Sequence, residues 1–187
     1  MKKWLIISLV ILNTLGILSF VFVNWGWVFV DRELAAEAKQ FKSDLLEALN
    51  NASRVEIVEH SWHWEFGESD KLPSELPYIE YKRMRLSEGQ QNEFRKIFSG
   101  MSRKPRTDFL PCAFEPHHTI EIYDHEGEQK VVKICFQCGD TSWGEETTIT
   151  PDLFQSTFWK FIKQHGFQRE RDWYALAQER KKATKTD

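Results

Sequence analysis

One stretch of the sequence, residues 112–138, holds the side chains best suited to chemistry. It contains all three cysteines of the chain and two adjacent histidines, namely Cys112, His117, His118, Cys135 and Cys138. Zinc is commonly bound by thiolates and imidazoles, and thiols also form disulfides or take part in redox reactions. The pattern therefore predicts one chemical unit and leaves its chemistry open.

A tetrahedral metal site is the first chemistry that these residues could support. Cys135-x-x-Cys138-Gly has the form of a zinc knuckle, and Cys112 with His117 or His118 would complete a set of three thiolates and one imidazole. A full zinc site usually shows two Cys-x-x-Cys pairs, whereas here the first pair is Cys-x4-His or Cys-x5-His. We expect no cofactor, and zinc is the metal that this set would suit.

A disulfide between Cys112 and Cys138 is the second chemistry that these residues could support. These two residues are expected on one face of a hairpin and diagonally across its strands, within reach of a bridge once the chain bends at Pro111 or Gly139. Cys135 would then be left over. Redox chemistry of the Cys-x-x-Cys pair is disfavoured, because a strand rather than a helix N-terminus is predicted there. Buried, reduced and inert thiols are the remaining alternative.

The segment that must position these residues is a predicted β-hairpin. Five apolar residues alternate along its two arms: Ile120, Ile122, Val132, Ile134 and Phe136. The three-residue loop His125-Glu126-Gly127 places Gly127 where a left-handed bulge residue is needed. The resulting register pairs 120 with 132, 122 with 130 and 118 with 134, which puts the apolar residues on one face.

The rest of the chain predicts further helices and strands around this hairpin. The expected elements are a helix over 31–50, strands over 54–66 and 78–86, a helix over 88–99, a strand over 143–149, and helices over 151–165 and 169–182. Ser87 and Gln90 form a capping-box pattern at the start of the second helix. Trp62 and Trp64 are expected in the core or in a ligand or partner groove. The fold class predicted is α+β, a two-layer domain in which an antiparallel sheet of about five strands packs against helices.

Residues 4–30 carry no charge and predict a transmembrane helix. At ~1.5 Å per residue the stretch reaches roughly 40 Å, enough to cross a hydrocarbon layer of ~30 Å. A cleaved signal peptide is the rival interpretation, but its apolar region usually spans only ~7–15 residues and ends in small residues. Two lysines precede the stretch, which predicts a single-pass inner-membrane protein with a cytoplasmic N-terminus and an extracytoplasmic bulk. The interfacial anchors of this helix would be Trp4, Trp25 and Trp27.

These elements predict four regions along the chain. They are a cytoplasmic tip and transmembrane signal-anchor helix over 1–30, a membrane-proximal helix over 31–52, an extracytoplasmic α+β domain over 53–183 and a flexible tail over 184–187. The lipid bilayer is the one predicted partner. The 25 basic and 28 acidic residues form no sustained basic face, which argues against binding of nucleic acid.

The cysteine and histidine pattern also resembles a segment found in a family of exported bacterial proteins that has no known activity. The shared residues are Cys112-x3-Pro116-His117-His118-x-Ile120, followed by Ile134-Cys135-Phe136-x-Cys138. The resemblance implies that the cluster is one unit, but it implies no chemistry.

We therefore predict a membrane-anchored extracytoplasmic module with a non-catalytic binding or envelope-associated role, in which the cysteine cluster is a structural staple. The sequence shows no hydrolase constellation, phosphate-binding glycine loop or dinucleotide fingerprint. The alternative function is a metal-dependent, zinc-using enzyme or a thiol-active enzyme that works through the same cluster. The sequence leaves the identity of any protein partner open.

Overall fold

A computed structural model describes residues 30–67, 78–108 and 110–183. The chain divides into two units, residues 1–36 and 37–187. In the first unit the described residues, 30–36, are helical. The second unit carries the whole six-stranded sheet.

The described chain alternates helices and strands. In chain order the elements are α1 (30–50), β1 (Arg54–His60), a 3-10 helix (His63–Phe66), β2 (Glu80–Arg85), α2 (Glu88–Ser99), β3 (His118–Tyr123), β4 (Gln129–Ile134), β5 (Thr141–Trp143), β6 (Glu146–Thr148), α3 (Phe154–Lys163) and α4 (Trp173–Ala183).

The strands form one antiparallel sheet in the order β2-β1-β3-β4-β5-β6. The predicted hairpin is β3–β4, and its register is confirmed. Ile120 lies opposite Val132, Ile122 opposite Lys130 and His118 opposite Ile134. Gly127 has φ +87° at the loop, as the predicted bulge requires.

The core lies on one face of this sheet. Ile57 is opposite Ile120, which is opposite Val132, and all three are fully buried. Helices α1, α2 and α3 cover this face with a set of buried side chains: Phe41, Leu45, Leu49, Phe94, Phe98, Phe154, Phe158, Phe161 and Ile162. Each buried side chain of this size contributes roughly 1.5–3 kcal/mol relative to exposure. The hydrophobic effect therefore specifies which face the helices occupy.

The start of α2 confirms the predicted capping box. The Ser87 hydroxyl accepts a hydrogen bond from the Gln90 amide at 3.3 Å, and the Gln90 side chain accepts one from the Ser87 amide at 2.8 Å. Both amides belong to the helix start and would otherwise lack partners.

The first predicted strand is too long, because β1 ends at His60. The amide of Ser61 donates to the Ile79 carbonyl at 2.8 Å, and the Ser61 hydroxyl accepts from the Ile79 amide at 2.9 Å. The chain then enters the 3-10 helix, where the Glu65 carboxylate accepts from the Trp62 amide at 3.0 Å. The two side-chain bonds, at Ser61 and Glu65, replace a sheet ladder, so the predicted alternation beyond residue 60 is wrong.

The number of strands is also corrected, from about five to six. The predicted strand over 143–149 is instead the last residue of β5, a turn in which Gly144 has φ +62°, and the strand β6. The two final helices begin later than predicted. Pro151 pairs with Pro105 in a β-bridge before α3 begins at Phe154, and residues 169–172 precede α4.

The transmembrane part of the fold prediction needs a correction as well. Within residues 30–67, 78–108 and 110–183, no helix has both the length and the apolar content needed to cross a bilayer. The predicted anchor residues Trp4, Trp25 and Trp27, like all of 1–29, lie outside the described residues. The predicted inner-membrane location and the bilayer as a partner stay predictions.

Candidate functional site

Cys135 and Cys138 lie in the turn that joins β4 to β5. The Cys135 amide donates to the Asp140 carbonyl at 3.0 Å, and the Gly139 amide donates to the Cys135 carbonyl at 2.9 Å. Gly139 has φ +76°, a conformation that favours glycine. The Cys-x-x-Cys-Gly motif therefore forms a closed turn at the end of a hairpin and not the start of a helix.

The side chains of the three cysteines influence one another. The side chain of Cys138 interacts with that of Cys135 and also with that of Cys112. Cys135 and Cys138 are buried, whereas Cys112 is exposed, and all three thiols are free in the structure. The structure thus brings the predicted disulfide partners Cys112 and Cys138 together, while their pairing stays a prediction.

The Cys135 sulfur is surrounded by hydrogen-bond donors. The Cys138 amide lies 3.5 Å from it, and the backbones of Glu115 and Gln137 also donate. The bond from the Cys138 thiol lowers the pKa of Cys135 to about 6, against the opposing effect of burial. The pKa of Cys138 is raised, first by its bond to Cys135 and then by burial. Cys135 is therefore the thiolate of the pair at neutral pH.

Two side chains hold the cysteine turn from outside. Arg106 donates to the Cys138 carbonyl at 2.7 Å, to the Asp140 carboxylate at 3.0 Å and also to the Gly139 carbonyl. Gln155 of α3 donates to the Asp140 carbonyl at 3.0 Å. The turn is fixed by these bonds, which connect it to the loop before β3 and to a helix.

The two predicted histidine ligands have partners of their own. His117 is hydrogen-bonded to Glu65 of the 3-10 helix, and its ring stacks on Trp173 of α4 at 4.3 Å between ring centroids. Across the described part of the chain, no group of three or more His, Cys, Asp or Glu side chains is arranged to hold a metal ion. Zinc binding by Cys112, His117, His118, Cys135 and Cys138 stays a prediction.

His118 lies on the helix-covered face of the sheet beside a buried carboxylate. Its Nε2 is 4.0 Å from Glu59, and this nitrogen has no hydrogen-bond partner in the described part of the chain. Burial lowers the pKa of His118 to about 3 and raises that of Glu59. Glu59 accepts from the Gln168 amide at 3.1 Å and lies 2.7 Å from Arg171. This cluster holds the 168–171 segment against the sheet.

A groove of about 520 Å³ lies on the other face of the sheet, which no described helix covers. Val131 and Thr119 belong to its floor, since they alternate with the core residues of β4 and β3. Its walls carry the rings of Trp62, His63 and Tyr78. The sequence predicted Trp62 either in the core or in a groove, and Tyr78 and the strand residues carry no comparable signal.

His60 lies in this groove with both ring nitrogens engaged. Nδ1 donates to the Ser61 carbonyl at 2.8 Å, because a carbonyl can only accept, and Nε2 is then the acceptor for the Thr119 hydroxyl at 2.7 Å. Burial lowers the pKa of His60 to about 4. The imidazole is therefore neutral at physiological pH and fixed in one tautomer.

The charged residues of the groove are also paired. Burial acts to raise the pKa of Glu121, but hydrogen bonds from Arg83 and Tyr123 outweigh it and the pKa is lowered. Lys133 forms an ion pair with Glu145 at 2.8 Å. In contrast, the indole N–H of Trp62 is buried and has no hydrogen-bond partner among the residues that the structure describes. The groove therefore combines balanced charge with one unsatisfied donor.

Comparison with known proteins finds no relative: no family model, no curated protein and no solved structure matches this chain. The site must therefore be interpreted from its own geometry.

Proposed function

We propose that this protein binds a small, neutral organic ligand in the groove on the helix-free face of its sheet, without catalysing a reaction on it. The observation that carries the proposal is the groove itself, about 520 Å³ with ring side chains in its walls. This volume falls within the ~300–1,000 Å³ of ordinary ligand pockets, which are mostly apolar and carry a few placed polar groups.

The chemistry of the ligand follows from the groups that face it. The rings of Trp62, His63 and Tyr78 offer flat surfaces for a ring or another planar group. The Trp62 N–H needs an acceptor, since an unpaired buried donor costs roughly 1–3 kcal/mol. The ion pair of Lys133 with Glu145 leaves no excess charge on that side. A neutral planar molecule with a carbonyl oxygen meets these conditions.

The state of the titratable groups supports binding rather than catalysis. A general base must have a nitrogen or oxygen that can reach the proton of a substrate. Both nitrogens of His60 are already hydrogen-bonded, and the Glu121 carboxylate is held by Arg83 and Tyr123. These two residues therefore line the groove as fixed polar groups and are not placed to act as a general base.

Saturation-transfer NMR on the full chain, with coumarin as a neutral planar carbonyl probe at millimolar concentration, tests the proposal. We expect transfer to the probe in the wild type and at least a five-fold weaker response in Val131→Trp, which fills the groove floor. Lys130→Trp is the matched control, because Lys130 is exposed on the opposite face of the same strand. No transfer in the wild type, or equal transfer in both variants, would contradict the proposal.

A further inference from the structure

The three cysteines form a continuous path from solvent to the interior of the fold. Cys112 is exposed, Cys138 is fully buried and interacts with Cys112, and Cys135 is 1% exposed with its sulfur 3.5 Å from the Cys138 amide. A buried thiol pair cannot meet a bulky disulfide from solvent, but an exposed thiol can. Cys112 is therefore the contact point between external disulfides and the buried pair.

The inner end of the path is built to hold a thiolate. The Cys138 amide lies 3.5 Å from the Cys135 sulfur, and the Cys138 thiol and the backbones of Glu115 and Gln137 also favour its charged form. Such donors stabilise negative charge on sulfur, and the thiolate is the form that attacks a disulfide. A buried cysteine that stays protonated and unreactive would not require these donors around its sulfur.

We propose that Cys112, Cys138 and Cys135 form a thiol–disulfide exchange relay, in which Cys112 reacts with an external disulfide and the Cys135–Cys138 pair ends as the oxidised product. This activity is independent of ligand binding in the groove on the other face of the sheet.

The relay balances with a disulfide as the oxidant. The Cys112 thiolate attacks RS–SR, so that a mixed disulfide forms and RS⁻ leaves. Cys138 passes its proton to the Cys135 thiolate and attacks the Cys112 sulfur, which forms Cys112–Cys138 and releases the second RS⁻. Cys135 then loses that proton to solvent and attacks the Cys138 sulfur, which forms Cys135–Cys138 and frees the Cys112 thiolate. One external disulfide is reduced to two thiols.

The test is oxidation of the reduced full chain with oxidised glutathione, followed over time by mass-spectrometric mapping of the cysteines. The relay predicts a transient Cys112–Cys138 bridge and then a Cys135–Cys138 bridge, with no glutathione retained. Cys138→Ser should trap one glutathione on Cys112. Cys112→Ser should oxidise at least ten-fold more slowly than the wild type.

A second variant tests whether the position of the thiol at Cys112 matters, or only the presence of an exposed thiol in the chain. Glu93 is exposed on α2, so Cys112→Ser combined with Glu93→Cys restores an accessible thiol at a different place. The relay requires that oxidised glutathione oxidises this double variant as slowly as it oxidises Cys112→Ser. Near-UV circular dichroism confirms that each variant folds.

Three results would overturn the relay. The first is a lasting Cys112–Cys138 bridge with Cys135 still reduced, which would instead support the predicted structural staple. The second is glutathione retained on Cys112 of the wild type while the other two thiols stay reduced. The third is a Cys112→Ser variant that oxidises as fast as the wild type.

Discussion

Gly139 shows how one backbone position holds the cysteine turn in place. It adopts φ +76°, and a Cβ added there would lie 2.6 Å from Cζ of Arg106. The guanidinium cannot simply swing away, because it donates to the Cys138 carbonyl and the Asp140 carboxylate. The absence of a side chain at this position is therefore required both by the backbone conformation and by the arginine that packs on it.

We expect Gly139→Ala to lower the free energy of unfolding by about 2–4 kcal/mol, from backbone strain and lost arginine bonds. Gly144→Ala is the matched control, since Gly144 has φ +62° but nothing lies within 4 Å of an added Cβ. It should cost only about 1–2 kcal/mol of strain. Urea denaturation measures both, and equal losses in the two variants would show that Arg106 does not constrain the turn.

Trp62 is the residue that should decide which ligands enter the groove. Trp62→Phe keeps a ring in the wall and removes the unpaired N–H. We expect affinity for coumarin to fall about five-fold, since a neutral hydrogen bond contributes about 1 kcal/mol. Affinity for indene, a planar probe without an acceptor, should stay the same. NMR titration compares the two probes, and an equal loss for both would mean that the N–H has no role in recognition.

At the scale of elements, the segment between α3 and α4 is attached to the sheet through polar contacts. Glu59 of β1 is fully buried, accepts from the Gln168 amide and pairs with Arg171. Lys82 of β2 donates to the His165 carbonyl at 2.5 Å. Further along, Gln178 of α4 donates to the Glu65 carbonyl of the 3-10 helix at 2.7 Å. The C-terminal part of the chain thus depends on a buried carboxylate.

Glu59→Ala should loosen this part of the chain more than the rest. It leaves the Gln168 amide without its acceptor, while Arg171 is one-third exposed and can be hydrated, so we expect a loss of about 2–3 kcal/mol. Hydrogen exchange should accelerate most over residues 168–183.

Glu170→Ala is the control for this prediction, because Glu170 is exposed and lies 3.9 Å from Arg169 as its partner. It should leave exchange over 168–183 almost unchanged. Equal exchange in Glu59→Ala and Glu170→Ala would show that the buried carboxylate does not hold the segment.

For the whole molecule, two buried histidines make stability depend on pH. The pKa of His60 is about 4 and that of His118 about 3 in the folded state, both lowered mainly by burial from an ordinary 6.5. Between these values the unfolded chain binds more protons, so stability falls as pH falls. At pH 5 each histidine lowers the free energy of unfolding by about 2 kcal/mol. Burial raises the pKa of Glu59, so this carboxyl makes stability fall as pH rises above 4.5.

We therefore expect the free energy of unfolding in urea to drop markedly from pH 7 to pH 5, since two histidines outweigh one carboxyl. The double variant His60→Gln with His118→Gln has a lower stability at pH 7 but should show a much flatter dependence on pH. A wild type that is equally stable at pH 7 and pH 5, or a double variant with the wild-type slope, would contradict this account.

Local patterns were enough to predict part of this fold. The alternation from Ile120 to Ile134 and the glycine at 127 determine the β3–β4 register, because a shift by one residue would expose the apolar face. Ser87 and Gln90 determine the start of α2, because their bonds involve neighbours in the chain. The proximity of Cys112 to Cys138 follows from the same hairpin.

Contacts between distant residues decided what local patterns could not. β1 ends at His60 because the Ser61 hydroxyl takes the Ile79 amide out of the sheet ladder. His117 turns to Glu65 and Trp173, which lie 52 and 56 positions away. The groove exists because, within the described residues, three helices cover one face of the sheet and none covers the other. By itself the sequence determined a hairpin, its capped helix and a set of reactive side chains, since these depend on neighbours. Only the tertiary structure decided which of those side chains meet, since burial and pairing depend on the whole packed chain.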